Sequence, residues 1–160
     1  RQSAASTSAP VWATKFAPVP WRRSARAVTD ACRDSLDRLG VESIGLYQIH
    51  WRAIGLPAGP LSAAKAEEAY WDGLADCYAQ GLVKAVGVSN YGPAALRRVH
   101  AKLAARGVPL ATNQVQYSLL RRKPDRDGTR RACDELGVKI LAYSPLAQGV
   151  LTNRYTESSL

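Results

Sequence analysis

The sequence predicts an α/β protein built as part of a (β/α)8 barrel, about five of the eight units, and three observations carry that prediction. Five short strand-like runs, VWATK, IGLYQIH, VKAVGVSN, ATNQ and VKILAYS, each close on polar residues: Lys15, His50, Ser89-Asn90, Asn113-Gln114 and Tyr143-Ser144. Most of these runs are separated by stretches of helical periodicity, the alternation that makes a parallel sheet with outer helices. The polar anchors recur 25 to 39 residues apart. A closed barrel spends roughly 31 residues per unit, and its chemistry sits where strands give way to βα loops.

At that rate 160 residues supply about five units. A parallel sheet covered by helices has no reason to stop there, because both edges would leave backbone groups unpaired. With Arg1 at the start and no methionine, the chain is expected to be an internal piece: one partial barrel domain over 1–160, with flanking units absent at both ends. Residues 1–10 form a ragged connection. RQSAASTSAP is Ser/Ala-rich and free of acid, like the tail of a transit peptide, but it runs straight into a strand, which favours a surface connection.

Each element has its local reason. Pro18 and Pro20 block a helix after the first strand and force an extended loop. Ser24 is placed to cap a helix running to Leu39, with Ala27, Ala31, Leu36 and Leu39 inward and Gly40 past its end. After His50, the stretch Arg52 to Ser62 with Pro57, Gly59 and Pro60 is a loop long enough to cross a barrel mouth. SAAKAEEAYWDGLADCYAQG reads as one amphipathic helix closed by Gly81. Pro93 opens the next helix and Gly107 stops it. KPDRDGTRRACDELG reads as a single helix before the last strand, which runs into SPLAQGVLTNRY.

The charge of +9 comes from 22 basic against 13 acidic residues, a balance that suits a phosphate-bearing ligand or a polyanion. The basic residues are nevertheless scattered along helical stretches (Arg22, Arg23, Arg33, Arg38, Arg97, Arg98, Arg130, Arg131), with Arg121-Arg122-Lys123 the one tight cluster. Solvated faces are expected, and no nucleic-acid partner, because no nucleic-acid module accompanies them. Cys32, Cys77 and Cys133 are widely spaced inside helices, which suggests free structural thiols in a reducing compartment and no metal site. No apolar run approaches a membrane span. A soluble intracellular protein, of cytosol or plastid, is the expectation.

The motifs ATKF, LYQIHW, GLVKAVGVSN, NQVQYS and LAYSPLAQGVL stand in the order found in the aldo-keto reductases, and from about Val11 to Tyr155 the chain resembles the plant and algal branch of that family. The resemblance implies a (β/α)8 barrel that binds NADP(H) and passes a hydride to a small-molecule carbonyl substrate. Of the family's catalytic Asp, Tyr, Lys and His, it implies that Lys15 and His50 supply the last two. The Asp and Tyr would lie in units before Lys15, so the 160-residue chain alone is expected to turn over little.

Physical chemistry supports those roles. A carbonyl accepting hydride builds negative charge on oxygen, which an acid and a hydrogen-bond donor must stabilise. A lysine beside a phenol favours the phenolate, and His50 is placed one strand along to donate to the same oxygen. Taken singly, Lys15 reads as well as an exposed lysine and His50 as a satisfied core histidine; their placement together, with the downstream motifs, favours chemistry. Tyr47 cannot replace the missing acid, because it lies three residues before His50 and points to the opposite strand face.

The resemblance assigns Ser89, Asn90 and Gln114 to the nicotinamide carboxamide, whose one acceptor and two donor hydrogens suit amides and a hydroxyl. Ser89-Asn90-Tyr91-Gly92 also makes a turn and helix cap, and both readings can hold. Tyr143 matches the ring that stacks on nicotinamide. Ser144, Pro145, Leu146, Gln148 and Gly149 match the loop along the pyrophosphate, where short side chains and backbone amides suit an anion. Trp51 resembles an aromatic wall for the substrate, although Arg52 stands where proline often follows. A non-catalytic NADP(H)-sensing or interaction protein on the same barrel is the alternative.

Overall fold

The computed structural model describes residues 10–152; the expected ragged connection thus lies almost wholly outside the described residues, as do Arg154 and Tyr155. Five strands form one sheet in the order β1-β2-β3-β4-β5, all neighbours parallel. They are β1 (Ala13–Phe16), β2 (Leu46–Ile49), β3 (Val86–Ser89), β4 (Leu110–Gln116) and β5 (Lys139–Tyr143). Between them run α1 (Ala25–Leu39), α2 (Ala63–Ala79), α3 (Pro93–Ala104), the single turn α4 (Lys123–Arg126) and α5 (Thr129–Leu136). Sequential parallel pairing with a helical crossover at each step is the arrangement of a partial (β/α)8 barrel.

Helix boundaries follow the capping chemistry. Ser24 accepts from the Ala27 amide at the start of α1, and Gly40 closes it at φ 63°. Ser62 does the same for α2 through the Lys65 amide. The stretch expected as one last helix is two, because Asp127 and Gly128 interrupt it. Gly128 sits at φ 83°, and the Asp127 carboxylate accepts from the Thr129 amide at 2.9 Å, starting α5 afresh. Strand ends also differ by a residue or two: β1 continues past Lys15 to Phe16, β2 stops at Ile49 just before His50, and β4 extends beyond Gln114 to Gln116.

The strand pleat sorts side chains onto two faces. Toward the helices, Phe16, Tyr47, Ile49, Val86 and Val88 join Val28, Cys32, Trp71, Leu74, Leu96 and Val99 in one buried core. Each large apolar side chain there contributes roughly 1.5–3 kcal/mol by leaving water. Tyr47, as expected, points into this layer and donates to the Val28 carbonyl. Cys32, Cys77 and Cys133 are free thiols buried in the same layer. On the other face, the register aligns Lys15 with Gln48, Gln48 with Gly87, Gly87 with Thr112 and Thr112 with Lys139. These side chains form a row across what would be the barrel interior. Among the described residues no helix is long and apolar enough to cross a membrane.

The α1–α2 contact depends on Gly73. A methyl group there would lie 2.6 Å from Val28 Cβ and 2.7 Å from the Ala25 carbonyl oxygen. Gly73→Ala gains about 1 kcal/mol of helix propensity but overpacks against backbone that cannot yield, at about 1–3 kcal/mol. A net loss of stability is expected in denaturant titration, and a stabilised variant would show that α1 can move.

Candidate active site

The next row up the inner face carries the polar strand ends. Ser89 pairs with Gln114 and Gln114 with Leu141; His50, one residue past the Ile49–Val88 pair, stands beside Ser89. Lys15 lies one row lower on β1. Parallel register has therefore brought Lys15, His50, Ser89, Gln114 and Tyr143 to one rim, where barrel enzymes keep their chemistry.

His50 is exposed at this rim, and its imidazole packs on the half-buried Trp51 ring at 4.5 Å between centroids. Partial burial, and secondarily the Lys15 charge, hold its pKa below the usual histidine value. The ring is neutral near pH 7 and has an N–H to donate.

Ser89, Asn90 and Tyr143 form one hydrogen-bonded chain. The Tyr143 hydroxyl donates to Asn90 Oδ1 at 3.1 Å, and Asn90 Nδ2 donates to Ser89 Oγ at 3.1 Å and to the His50 carbonyl at 3.4 Å. Ser89 Oγ donates in turn to the Gln114 carbonyl at 2.8 Å. Asn90 takes a left-handed conformation, φ 62°, which asparagine tolerates better than most residues, and this aims its amide back across the rim. Gln114 is half-buried, and its own carboxamide makes no hydrogen bond among the described residues.

Beyond β5 the chain coils tightly. Ser144, Ala147 and Gln148 have φ of 53°, 49° and 57°, and Gly149 has 96°. Three non-glycine residues in this region store strain that surrounding structure must hold. Pro145, Leu146 and Gln148 are exposed and Ser144 half-buried, while the amides of Ala147, Gly149, Val150 and Leu151 donate to carbonyls within the coil. A cleft of about 220 Å³ lies beside it, lined by Asn90, Gln116, Tyr143, Arg121, Lys123 and Thr129. It reaches Asn90 and Tyr143 and neither Lys15 nor His50.

Three structural roles went unread in the sequence. Arg23, expected on a solvated helical face, sits before α1 and donates to the carbonyls of Ile54, Leu61 and Ser62 at 2.7–2.8 Å, pinning the loop after β2. Asn113 is fully buried and grips the turn after β3, donating to the Tyr91 carbonyl at 2.9 Å and accepting from its amide at 3.4 Å. Arg52, where proline was the more familiar neighbour of Trp51, turns onto α2 and makes a two-pronged ion pair with Glu67 at 2.7 and 2.9 Å.

Comparison with known proteins decides the family. The aldo/keto reductase family model matches residues 3–159. The chain belongs to the aldo/keto reductase family. It is 47% identical over 150 residues to the chloroplastic pyridoxal reductase of Arabidopsis thaliana, covering 94% of this chain and 40% of that protein. Among solved structures it resembles the thermostable aldo-keto reductase Tm1743, in complex with the inhibitor epalrestat, at 27% identity and a TM-score of 0.70, over 89% of this chain and 47% of that one. An aldo/keto reductase of Klebsiella pneumoniae, in complex with NADP and acetate, aligns at 25% identity and a TM-score of 0.68, over 90% of this chain and 46% of that one. The chain thus spans less than half the length of these relatives.

Proposed function

We propose that the protein is an NADPH-dependent reductase of aldehydes or ketones, and that these residues carry the histidine and lysine of its catalytic group and the nicotinamide side of its cofactor site. The observation that supports this most directly is the shared rim: Lys15 beside β2, His50 next to Ser89, and Gln114 and Tyr143 on the following strands. NADPH would supply the hydride. For its nicotinamide, Gln114 offers an unengaged carboxamide and Tyr143 a half-buried ring, while Asn90 and Ser89, bonded to Tyr143, His50 and Gln114, would exchange some of those bonds for the carboxamide. Ser144, Pro145, Leu146, Gln148 and Gly149 would follow the pyrophosphate.

In this reading neutral His50 donates its ring N–H to the carbonyl oxygen as charge develops there. Lys15 supplies positive charge that favours ionisation of the proton-donating phenol. That phenol is not Tyr47, which is buried on the helix side with its hydroxyl on Val28. The acid in this reading comes from a barrel unit other than these five. Trp51 offers a flat apolar wall beside His50, and its chemistry suits an aromatic aldehyde such as pyridoxal, the substrate class named for the Arabidopsis relative. Of cytosol and plastid, the chloroplastic relative favours the plastid.

The test is NADPH consumption by the full-length protein with pyridoxal and simple aryl and alkyl aldehydes, beside cofactor binding followed by quenching of tryptophan fluorescence. Turnover with an aromatic aldehyde is the expected result, with little from the 160-residue segment alone. Tight NADPH binding without turnover of any carbonyl would point to the sensing protein, and no NADPH binding would overturn both.

A further inference from the structure

Arg52 adds a side-chain bridge between the loop after β2 and the turn after β3, which the β2–β3 pairing and the bond from Asn90 to the His50 carbonyl also join. It follows His50 and Trp51 directly, at the start of the loop after β2. Its guanidinium grips Glu67 on α2 through two parallel hydrogen bonds, and Glu67 has a side chain only 1% exposed. The same guanidinium lies over the Tyr91 ring, 5.9 Å from its centroid. Tyr91 is buried, accepts from Trp71 Nε1 of α2 at 3.3 Å, and immediately follows Asn90. One side chain thus touches α2, the loop carrying His50 and Trp51, and the turn carrying Ser89 and Asn90.

We infer that Arg52 is a positioning residue, which fixes the rim bearing His50 and Trp51 against the turn bearing Ser89 and Asn90 through its fork on Glu67 and its contact with Tyr91. The inference rests on the carbonyl-reductase reading for its effect on turnover. Its physical basis is independent of that reading. A buried carboxylate holds its place only when paired, and a planar two-pronged pair fixes orientation as well as distance. Lysine keeps the charge but not the fork, so it cannot reproduce the geometry. Substrate and nicotinamide must meet within a narrow range of separation, and a displacement of about 1 Å is enough to cost orders of magnitude in rate.

The decisive variant is the charge-neutral pair Arg52→Met/Glu67→Leu in the full-length protein, with Arg52→Lys beside it. Glu67 is buried and Arg52 half-exposed; exchanging a desolvated charge and its partner for apolar side chains is often close to neutral for stability, so melting temperature should change little and NADPH affinity by no more than about twofold. Turnover number should fall about tenfold in both variants. A second readout needs no activity. The chain has two histidines, His50 and His100, so the His50 ring can be titrated by NMR. In wild type its pKa is lowered first by burial and then by Lys15. Releasing the rim relieves burial, while removing Arg52 and Glu67 together leaves the net charge unchanged, so the His50 pKa should climb toward its ordinary value. An unmoved His50 pKa, or an active wild type whose variants turn over equally fast, overturns the inference. A His50 pKa that moves in a protein reducing no carbonyl sustains the positioning role and removes the reductase reading instead. If the double variant does not fold, Arg52→Lys decides by the same two readouts.

Discussion

Lys15→Met is expected to reduce kcat/KM for carbonyl reduction by about 10²–10⁴ in the full-length protein, the range general acid catalysis supplies, with NADPH affinity nearly unchanged. The side chain sits one row below His50 on the inner face, paired in register with Gln48, and none of Ser89, Asn90 and Tyr143 depends on it for a hydrogen bond. Its loss removes charge from the proposed catalytic group and leaves the Tyr143–Asn90–Ser89 chain intact. The same substitution has a second consequence that can be measured without turnover. Lys15 is one of the two causes that lower the His50 pKa, so removing its charge must raise that pKa. The acid limb of any activity that needs neutral His50 then moves to higher pH. A variant with full activity would remove Lys15 from the catalytic group, and an unchanged His50 titration would mean that the two charges do not meet across the rim.

The five strands were legible because each is a β-branched or aromatic run between glycine, proline or helix stops, and because their polar ends recur at barrel spacing. Helix α1 was legible to the residue, since Ser24 and Gly40 carry both caps. The break between α4 and α5 was not, because Asp127 can serve as a helix residue or as a cap, and only its bond to Thr129 decides. The rim residues could be found because strand-end polarity is a local signal. The residues that hold the rim could not. Arg23 reaches carbonyls 31 to 39 residues away, and nothing local marks it off from Arg22. Glu67 and Glu68 are adjacent and chemically alike, yet the first is buried on Arg52 while the second has a side chain 55% exposed. Such roles are set by which helix face meets which loop, and that is settled only when α2 packs on the sheet.

Gly87→Ala tests whether the floor beneath that rim is as tightly fitted as the register implies. Gly87 sits on the inner face of β3 between Gln48 and Thr112, which are joined by a hydrogen bond from Gln48 Nε2 to Thr112 Oγ1 at 3.1 Å. An added methyl group would overlap Thr112 Oγ1, approach the Thr112 carbonyl oxygen to 3.0 Å and the Gln48 Cγ to 3.1 Å. The threonine must rotate away, breaking its bond to a glutamine that is 1% exposed, and β3 must shift against β4. A buried amide left short of a partner costs roughly 1–3 kcal/mol, and overpacking adds about 1–3 kcal/mol more. As at Gly73, alanine recovers some backbone entropy, about 0.5–1 kcal/mol, which is smaller than the loss. A destabilisation of about 3 kcal/mol is expected from urea unfolding at unchanged slope. Because Ser89 is two residues further along the same strand and Gln114 is its partner, NADPH affinity should weaken as well in whatever fraction stays folded. Wild-type stability in this variant would mean that the inner row is loosely packed, and that the rim above it owes its geometry to the helices alone.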